Sequence, residues 1–597
     1  MEHQQACRTI FGSVHSKQPT MYVSHRLRKL LSRRHFSTFH PTVQSTTTGQ
    51  HWQVCIGIEI HAQLLTRTKL FSGASSQFGL DHPNTQVSFF DAATPGTLPV
   101  LNAECVDQAI RSALSLRAQV HSFSRFERKH YFYADMPLGY QITQQESCIA
   151  SQGTLNITVP KTRDNAQRFD VYERDIRITR LQLEQDSGKS LHDFDPDLSM
   201  IDLNRAGCAL VEIVSEPDIR SSDEAACYVR KIQRLLRHVG SCDGNMEEGS
   251  LRCDVNISIR PNPTPAVRDE EKGPEEEDSY MTWNHKDHAH HPMGERVEVK
   301  NLNSVRSVVR AIDYEVERQI NSAERDNAPV TKHETRTFDV AQGKTIRMRS
   351  KENAPDYRFV LDPDLPPLVL KEGHVGKLFE ALPELPDAIR DRVMQQYDLS
   401  LYDASVLVEE PDAAEYYEQV MQHLDELGNQ DDTGKQDDKK SMSKQTLNWI
   451  TNELLGRMRP VHLFFRHLGT KDGACNCMGL TPLHLATLIA GVRNGAISGK
   501  IAKAALDVVF EESREGTSPM DIVEREGWAV VRDESTLQLM CQEVIDNPTF
   551  VEQVNAVTSG EKPKLIGFFV GQVMKLSNGQ ADPKTVTKVL KELLGPK

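Results

Sequence analysis

The stretch Val54-Cys55-Ile56-Gly57-Ile58-Glu59-Ile60-His61 decides the fold of the first half of the chain. Its β-branched residues recur at every second position, which is the period of a strand with one buried face. Gly57, Glu59 and His61 then share the opposite face. The stretch therefore predicts a half-buried strand that presents a carboxylate and an imidazole side by side.

Four further segments have the same strand character and place polar residues among apolar ones; they are 180–186, 210–214, 251–257 and 296–300. Their polar faces hold Arg180, Gln182, Glu184 and Asp186; Glu212; Arg252, Asp254 and Asn256; and Arg296, Glu298 and Lys300. A Gly188-Lys189-Ser190 turn follows the first segment, and Asn301-Leu302-Asn303-Ser304 follows the last. An ordinary exposed sheet face is the alternative explanation for any one segment alone.

Taken together, these segments indicate a phosphoryl-transfer site. If the strands share one sheet, carboxylates from several of them converge with Arg252 and Lys300. Carboxylate oxygens are the ligands that Mg²⁺ prefers, while Arg and Lys neutralise phosphate oxygens. Phosphoryl transfer needs this combination, and the chain has no glycine-rich phosphate loop to supply it otherwise. His61 is the unusual member, because imidazole suits softer metals, so a supporting hydrogen-bond role is its alternative.

The organisation of the chain predicts an α+β protein with several domains. A length of 597 residues is too great for one hydrophobic core. Period-2 runs dominate the first part, and helical periodicity dominates from residue 352 onward. Polar or highly charged stretches at 265–292 and 425–440 are interpreted as inserts. We expect a sheet domain at 51–350, a helical domain at 351–535 and a small helical tail domain at 536–597.

The bulk composition restricts the possible partners. The net charge is -14, so any contact with nucleic acid must be local or shared with another subunit. No stretch approaches the roughly 20 apolar residues of a membrane-spanning helix. The eleven cysteines are scattered and form no CxxC pair. This pattern favours a reducing compartment and predicts neither a disulfide framework nor a structural zinc site.

The first fifty residues resemble an organellar transit peptide. They contain five arginines and two lysines, and Glu2 is their single acid. Such arginine-rich and acid-poor composition is typical of mitochondrial import signals. The sequence Arg34-His35-Phe36-Ser37 predicts cleavage after Phe36, and a disordered basic tail is the alternative.

The other end of the chain has a basic segment. Residues 561–597 contain seven lysines and three acids, a local charge of +4 in an acidic protein. Lys584, Lys588 and Lys591 have the spacing of one helix face, and Lys575 precedes them. This face could follow a nucleic-acid backbone, whereas a solvated lysine face is the alternative.

Ten ordered motifs closely resemble the B subunits of the aspartyl/glutamyl-tRNA amidotransferases, the GatB family. Four of them are Gly57-Ile58-Glu59-Ile60-His61, Leu183-Glu184-Gln185-Asp186-Ser187-Gly188-Lys189-Ser190, Met246-Glu247-Glu248-Gly249-Ser250-Leu251-Arg252-Cys253-Asp254 and Lys300-Asn301-Leu302-Asn303-Ser304. The others cover 126–133, 139–142, 202–207, 212–220, 356–359 and 567–575. The resemblance implies an antiparallel-sheet cradle domain similar to glutamine synthetase, then an all-helical domain and a tail domain that grips tRNA.

The resemblance also implies an activity and a set of roles. The family uses ATP and Mg²⁺ to phosphorylate the glutamate carboxylate of misacylated Glu-tRNA(Gln), and an amidase partner supplies ammonia. A small third subunit and a mitochondrial matrix location are expected as well. The implied magnesium ligands are His61, Glu184 and Glu212. The implied catalytic residues are Glu59, Lys189, Arg252 and Lys300, the ATP-binding residues are Asn256, Asn301, Asn303 and Glu248, and the tRNA-binding residues are Lys575, Lys584, Lys588 and Lys591.

The chain departs from the family pattern at several places. Many relatives have two cysteine pairs that bind zinc near residues 71–91, and this chain has none there, so no zinc is expected. Gln185 replaces a usual glutamate, and strand alternation turns it away from Glu184. The alternatives to an amidotransferase component are a non-catalytic tRNA-binding scaffold and a free-standing ligase that acts on a small acid.

Overall fold

In the computed structural model, the described residues are 42–77, 82–160, 171–191, 199–261, 294–326, 333–350, 357–410, 412–428, 436–458, 460, 465, 468, 480–512, 518–528, 533–559, 565–577 and 580–594. The expected transit peptide with its cleavage site, the insert at 265–292 and much of the insert at 425–440 lie outside them.

A ten-stranded sheet forms the centre of the first part of the chain. Its main strands are β1 (Val43–Gln44), β2 (His51–Gln63), β3 (Gln119–Val120), β7 (Ala150–Pro160), β8 (Val171–Gln185), β11 (Ala209–Ser215), β12 (Leu251–Pro261), β13 (Val297–Leu302), β14 (Glu334–Asp339) and β15 (Lys344–Ser350). The strand order is β15-β14-β13-β12-β2-β11-β8-β7-β3, and β1 pairs with β2. The five segments that the sequence singled out thus lie in β8, β11, β2, β12 and β13, which are consecutive neighbours.

The apolar face of the sheet is buried under helices. Ile56, Ile58 and Ile60 of β2 are at most 1% exposed. Helix α1 (Ala103–Ser115), α2 (Ser222–His238) and α3 (Val305–Asp326) supply the rest of this core. The side chain of Ser221 caps α2 by accepting a hydrogen bond from the backbone N–H of Glu224 at 3.2 Å. Burial of this face leaves the polar face of the same strands free to build a site.

The sheet is not entirely antiparallel, so the antiparallel sheet that the family resemblance implies is wrong at one pair of strands. β13 and β14 run parallel, with Val297 opposite Glu334, so the sheet is mixed. A parallel pair requires a crossover connection, and α3 provides it between the two strands. The side-chain period of 2 is the same for both orientations, so the sequence pattern could not distinguish them.

Small sheets flank the main one. β5 (Glu127–His130) pairs with β6 (Tyr140–Thr143) and with β16 (Val360–Leu361), and β4 (Phe123–Ser124) pairs with β17 (Leu368–Val369). β9 (Lys189–Leu191) pairs with β10 (Met200–Asp202), so Lys189 begins a strand and does not lie within the turn expected there. The hydrophobic core of the sheet domain also includes Leu365 and Leu378, which follow the domain boundary expected at residue 350.

The remaining described elements are helical. They are α4 (His374–Glu380), α5 (Pro386–Tyr397), α6 (Leu401–Glu409), α7 (Ala413–Gly428), α8 (Gln436–Asn448), a π-helical turn (Trp449–Leu454), α9 (Leu455–Met458), α10 (Pro482–Arg493), α11 (Gly499–Glu512), α12 (Pro519–Arg525), α13 (Glu534–Ile545), a 3₁₀ turn (Pro548–Phe550), α14 (Val551–Thr558), α15 (Ile566–Leu576) and α16 (Pro583–Leu594). Buried side chains between 393 and 523 form a second core. A third core joins α13 to α15 and α16. No described helix has the length and apolarity needed to cross a membrane.

Candidate metal and phosphate site on the polar face of the sheet

An acid–histidine cluster lies where β2 and β11 pair. Glu212 is directly opposite His61, and their side chains share one face of the sheet. His61 Nε2 lies 3.8 Å from Glu212 Oε2 and 3.5 Å from Glu59 Oε1. One donor atom from each of the three residues lies within 4.8 Å of the others. Two carboxylates and an imidazole at this separation can converge on one divalent cation.

Glu184 of β8 adjoins this cluster but has other partners. Gln141 and Thr143 of β6 donate hydrogen bonds to its two carboxylate oxygens, that of Thr143 at 2.9 Å. Gln182 on the same strand donates to Glu212 Oε2 at 2.7 Å. Glu184 of the expected ligand set thus adjoins Glu212, but the donor atoms that lie within 4.8 Å of one another come from Glu59, His61 and Glu212.

Burial and neighbouring charges shift the pKa values of the two buried glutamates in opposite directions. Burial, Glu184 and Glu59 together raise the pKa of Glu212 well above its usual range. Burial would also raise the pKa of Glu184, but Lys129 and His61 outweigh it and lower that pKa. The two neighbouring acids thus differ in their tendency to ionise. A bound divalent cation would favour the charged form of both.

Lys129 of β5 is a site residue that the sequence reasoning did not single out. Burial would lower the pKa of its ammonium group, but Glu184, Glu212, Tyr357 and Glu59 outweigh burial and raise it. The only sequence signal was the motif at 126–133, in which Lys129 is one of several charged residues. Its approach to the acids depends on how the β5–β6 hairpin packs against β8, which strand periodicity does not reveal.

Cationic side chains occupy the same sheet face beside the acids. Arg252 Nη2 lies 2.7 Å from Asp186 Oδ2, and this carboxylate raises the pKa of the guanidinium. Lys300 Nζ lies 2.8 Å from both Asp254 Oδ2 and Glu298 Oε1. Burial would raise the pKa of Asp254, but Lys300 and His61 outweigh it and lower that pKa. An anion at this site would meet two cations that carboxylates already hold in place.

Several buried polar atoms on this face of the sheet have no hydrogen-bond partner and are available to bind a ligand. Among the described residues, Arg252 Nε, Asn256 Oδ1 and Gln182 Oε1 are buried without a hydrogen-bond partner. Buried polar groups are rarely left unpaired without a functional reason. A guanidinium donor next to carboxylate and amide oxygens fits a phosphate accompanied by a hard cation. The residues present therefore fit a phosphate group together with Mg²⁺.

The other residues expected at the site lie around its edge. Lys189 is exposed at the start of β9, and Glu248 is exposed in the turn before β12. Asn301 is exposed at φ 62°, where β13 carries one extra residue relative to β12. Its backbone N–H donates to Asp254 Oδ1 at 3.1 Å. Asn303 is exposed just after β13. Asn301 thus supports Asp254 through its backbone, and no described contact joins the other three to the cluster.

The tail lysines lie on helices that build the third core. Lys584, Lys588 and Lys591 are exposed along α16, whose other face buries Val586, Val589, Leu590 and Leu594. Lys588 Nζ lies 3.0 Å from Glu534 Oε1, and Lys575 is exposed near the end of α15. The expected lysine face is therefore present on the surface.

Comparison with known proteins identifies the family to which the chain belongs. Residues 54–376 match the family described as "GatB/GatE catalytic domain", and residues 434–594 match the "GatB domain". A protein of Phytophthora infestans, named as the mitochondrial B subunit of glutamyl-tRNA(Gln) amidotransferase, is 43% identical over 584 residues, covering 92% of this chain and 96% of that protein. Two bacterial relatives are named as B subunits of aspartyl/glutamyl-tRNA(Asn/Gln) amidotransferase. The protein of Rickettsia bellii is 43% identical and covers 91% of this chain and 98% of its own length. The protein of Rhodopseudomonas palustris is 44% identical and covers 91% of this chain and 96% of its own length.

The polar face defines a class of site in which carboxylates and a histidine can hold a hard cation beside an anion clamp. The chain belongs to the GatB/GatE family of tRNA-dependent amidotransferase subunits.

Proposed function

We propose that this chain is the B subunit of a mitochondrial glutamyl-tRNA(Gln) amidotransferase. It uses ATP to phosphorylate the side-chain carboxylate of glutamate on misacylated Glu-tRNA(Gln). Ammonia then attacks the acyl carbon, phosphate leaves, and Gln-tRNA(Gln) is formed for mitochondrial translation. The overall reaction is that of a carbon–nitrogen ligase with glutamine as the amide donor. The observation that carries this proposal is the grouping of Glu59, His61 and Glu212 on the sheet face that also holds Arg252 and Lys300.

The residues of this chain have separate tasks in the reaction. Glu212, Glu59 and His61, with Glu184 beside them, would hold Mg²⁺. When bound, Mg²⁺ neutralises charge on the transferring phosphoryl group. Arg252 and Lys300 would bind the phosphate oxygens and hold the phosphoryl group in position for attack by the carboxylate, since positioning and electrostatics dominate phosphoryl transfer. Lys129 balances the charge of the acids and can hold the substrate carboxylate among them.

Partner subunits and tRNA take part in this reaction. The sequence contains no recognisable amidase or glutaminase constellation, so an amidase partner supplies ammonia and a small third subunit completes the enzyme. The relatives named above are themselves called subunits. The helices of the third core bind tRNA through Lys575, Lys584, Lys588 and Lys591.

We also propose a domain organisation and a subcellular location for the chain. The sheet domain is a cradle related to glutamine synthetase, followed by the helical domain and the tRNA-binding tail. The arginine-rich first residues direct the chain to the mitochondrial matrix and are removed after Phe36. One relative is named as a mitochondrial protein, which supports this location.

A reconstituted reaction tests the proposal. The mature chain should be purified with its partner subunits from mitochondria and supplied with Glu-tRNA(Gln), ATP, Mg²⁺ and glutamine. Formation of Gln-tRNA(Gln) that depends on both ATP and glutamine is expected. ATP-dependent amidation of free glutamate without tRNA would instead identify a small-acid ligase, and tRNA binding without amidation would identify a scaffold.

A further inference from the structure

An exposed aromatic loop lies next to the site. Residues 131–139 connect β5 to β6, and we call this segment the aromatic loop. Phe132 at its tip is 81% exposed and Tyr133 is 55% exposed. Phe359, which directly precedes β16, is 40% exposed. Exposed aromatic rings beside a site indicate a surface that binds a ligand.

The backbone of the aromatic loop is firmly held. Tyr131 N donates to Gly139 O at 3.0 Å, and Met136 N donates to Tyr133 O at 3.0 Å. Asp135 O accepts from Gly188 N at 2.8 Å, and a Cβ at Gly188 would stand only 3.0 Å from that oxygen. The rings of Tyr131 and Tyr133 stack at 4.5 Å. The loop that carries the exposed rings is therefore already ordered before a ligand binds, so binding loses little conformational entropy.

The aromatic loop lies between the acidic cluster and an exposed cation. Lys129 precedes Tyr131 by two strand positions, which is roughly 7 Å. Its Nζ lies 5.2 Å from the ring centroid of Tyr357, and it balances the charge of Glu184 and Glu212. On the other side, Gly188 is followed directly by exposed Lys189. Aromatic rings can stack on the base of a nucleotide, and a neighbouring lysine can bind its phosphate.

We infer that the aromatic loop is a stacking platform for the terminal base of the aminoacylated tRNA end, with Phe132 or Tyr133 as the exposed ring that the base meets. Single-stranded RNA ends are recognised by stacking of splayed bases on aromatic side chains. ATP is the weaker candidate, because small-molecule ligands are mostly buried in concave sites, whereas Phe132 is at an exposed loop tip. The platform holds the terminal nucleotide while its glutamyl group reaches Lys129. This inference deepens the proposed function and rests on it.

The test uses the assembled enzyme with the paired substitutions Phe132→Ala and Tyr133→Ala. The matched control is Phe379→Ala, because Phe379 is 54% exposed on α4. Loss of base stacking should raise the KM for Glu-tRNA(Gln) about 5- to 100-fold. The KM for ATP should stay within about twofold. The conservative pair Phe132→Tyr and Tyr133→Phe should restore the wild-type KM, because either ring can stack.

A fluorescence measurement reads the contact without catalysis. An uncharged tRNA(Gln) transcript whose terminal base is 2-aminopurine should lose fluorescence when it binds the wild-type enzyme, and the quenching should disappear in the alanine pair. A wild-type enzyme that binds this tRNA without quenching would overturn the inference. An increase confined to the KM for ATP, or no change in either KM, would also overturn it. If wild-type enzyme fails to amidate Glu-tRNA(Gln), the proposed function falls, and the fluorescence still reports on the platform.

Discussion

Asp186 lies between Arg252 and Arg205, and its Oδ2 is 2.7 Å from Arg252 Nη2. The carboxylate is only 3% exposed, and Arg205 Nε lies 3.4 Å from the same oxygen. Its own backbone is also held, because Asp186 N donates to Cys208 O at 2.9 Å and Asp186 O accepts from Gly207 N at 2.9 Å. Asp186 thus fixes the position of the guanidinium that faces the site.

Asp186→Asn should therefore impair phosphoryl transfer through Arg252. The variant keeps the shape but removes the charge that holds the guanidinium, and misplacement of a positioning group by about 1 Å can cost roughly 100-fold in rate. The measurement is kcat and KM for tRNA-dependent ATP hydrolysis. Asp218→Asn is the control, since Asp218 forms a comparable pair with Arg177 at 2.7 Å outside the site. Equal kcat and KM values for the Asp186 and Asp218 variants would show that Asp186 does not position Arg252 for phosphoryl transfer.

A buried ion pair should contribute strongly to stability. Lys69 and Asp91 are almost completely buried, with Nζ 3.1 Å from Oδ2, and Lys69 also donates to Gln86 O at 2.7 Å. Lys69→Met leaves Asp91 charged and poorly compensated, which should lower the free energy of unfolding by about 3–5 kcal/mol. Chemical denaturation measures this change. The double variant Lys69→Met and Asp91→Leu should recover part of the loss, and a single-variant loss below about 1 kcal/mol would contradict the expectation.

The tail lysines should determine the salt dependence of tRNA binding. Changing Lys584, Lys588 and Lys591 to Glu should weaken binding and flatten its dependence on salt, by roughly one unit of slope for each lost phosphate contact. Binding of the assembled complex is measured across a salt series. Charge reversal is a better test than deletion of 561–597, because Phe569 and Val573 pack against Leu537 in the third core.

A matched charge reversal separates this contact from general electrostatics. Lys371, Lys377 and Lys500 are also exposed, and their change to Glu alters the net charge by the same amount. If this control weakens binding as much as the tail variant does, the tRNA contact is not in the tail.

The sequence could predict most of the sheet face but not what covers it. Period-2 alternation indicated that Glu59 and His61 share a face, and the register confirms this, with Arg252 opposite His61. The roles of these residues in binding stay predictions. Lys129 was missed because its contact arises between separate elements. The same is true of Gln141, which reaches Glu184 from β6. Alternation fixes faces within a strand, whereas the packing of a hairpin over them depends on distant segments.

The most direct test of the account is tRNA-dependent ATP hydrolysis by Glu212→Gln and Glu184→Gln in the assembled enzyme, measured together with tRNA affinity. The account predicts that ATP turnover falls at least about 100-fold in both variants, because loss of metal-held charge commonly costs several kcal/mol of transition-state stabilisation. Affinity for Glu-tRNA(Gln) should stay within about twofold of wild type, because the tail lysines belong to a separate core. Wild-type ATP turnover in both variants would contradict the placement of the phosphoryl-transfer site on this face.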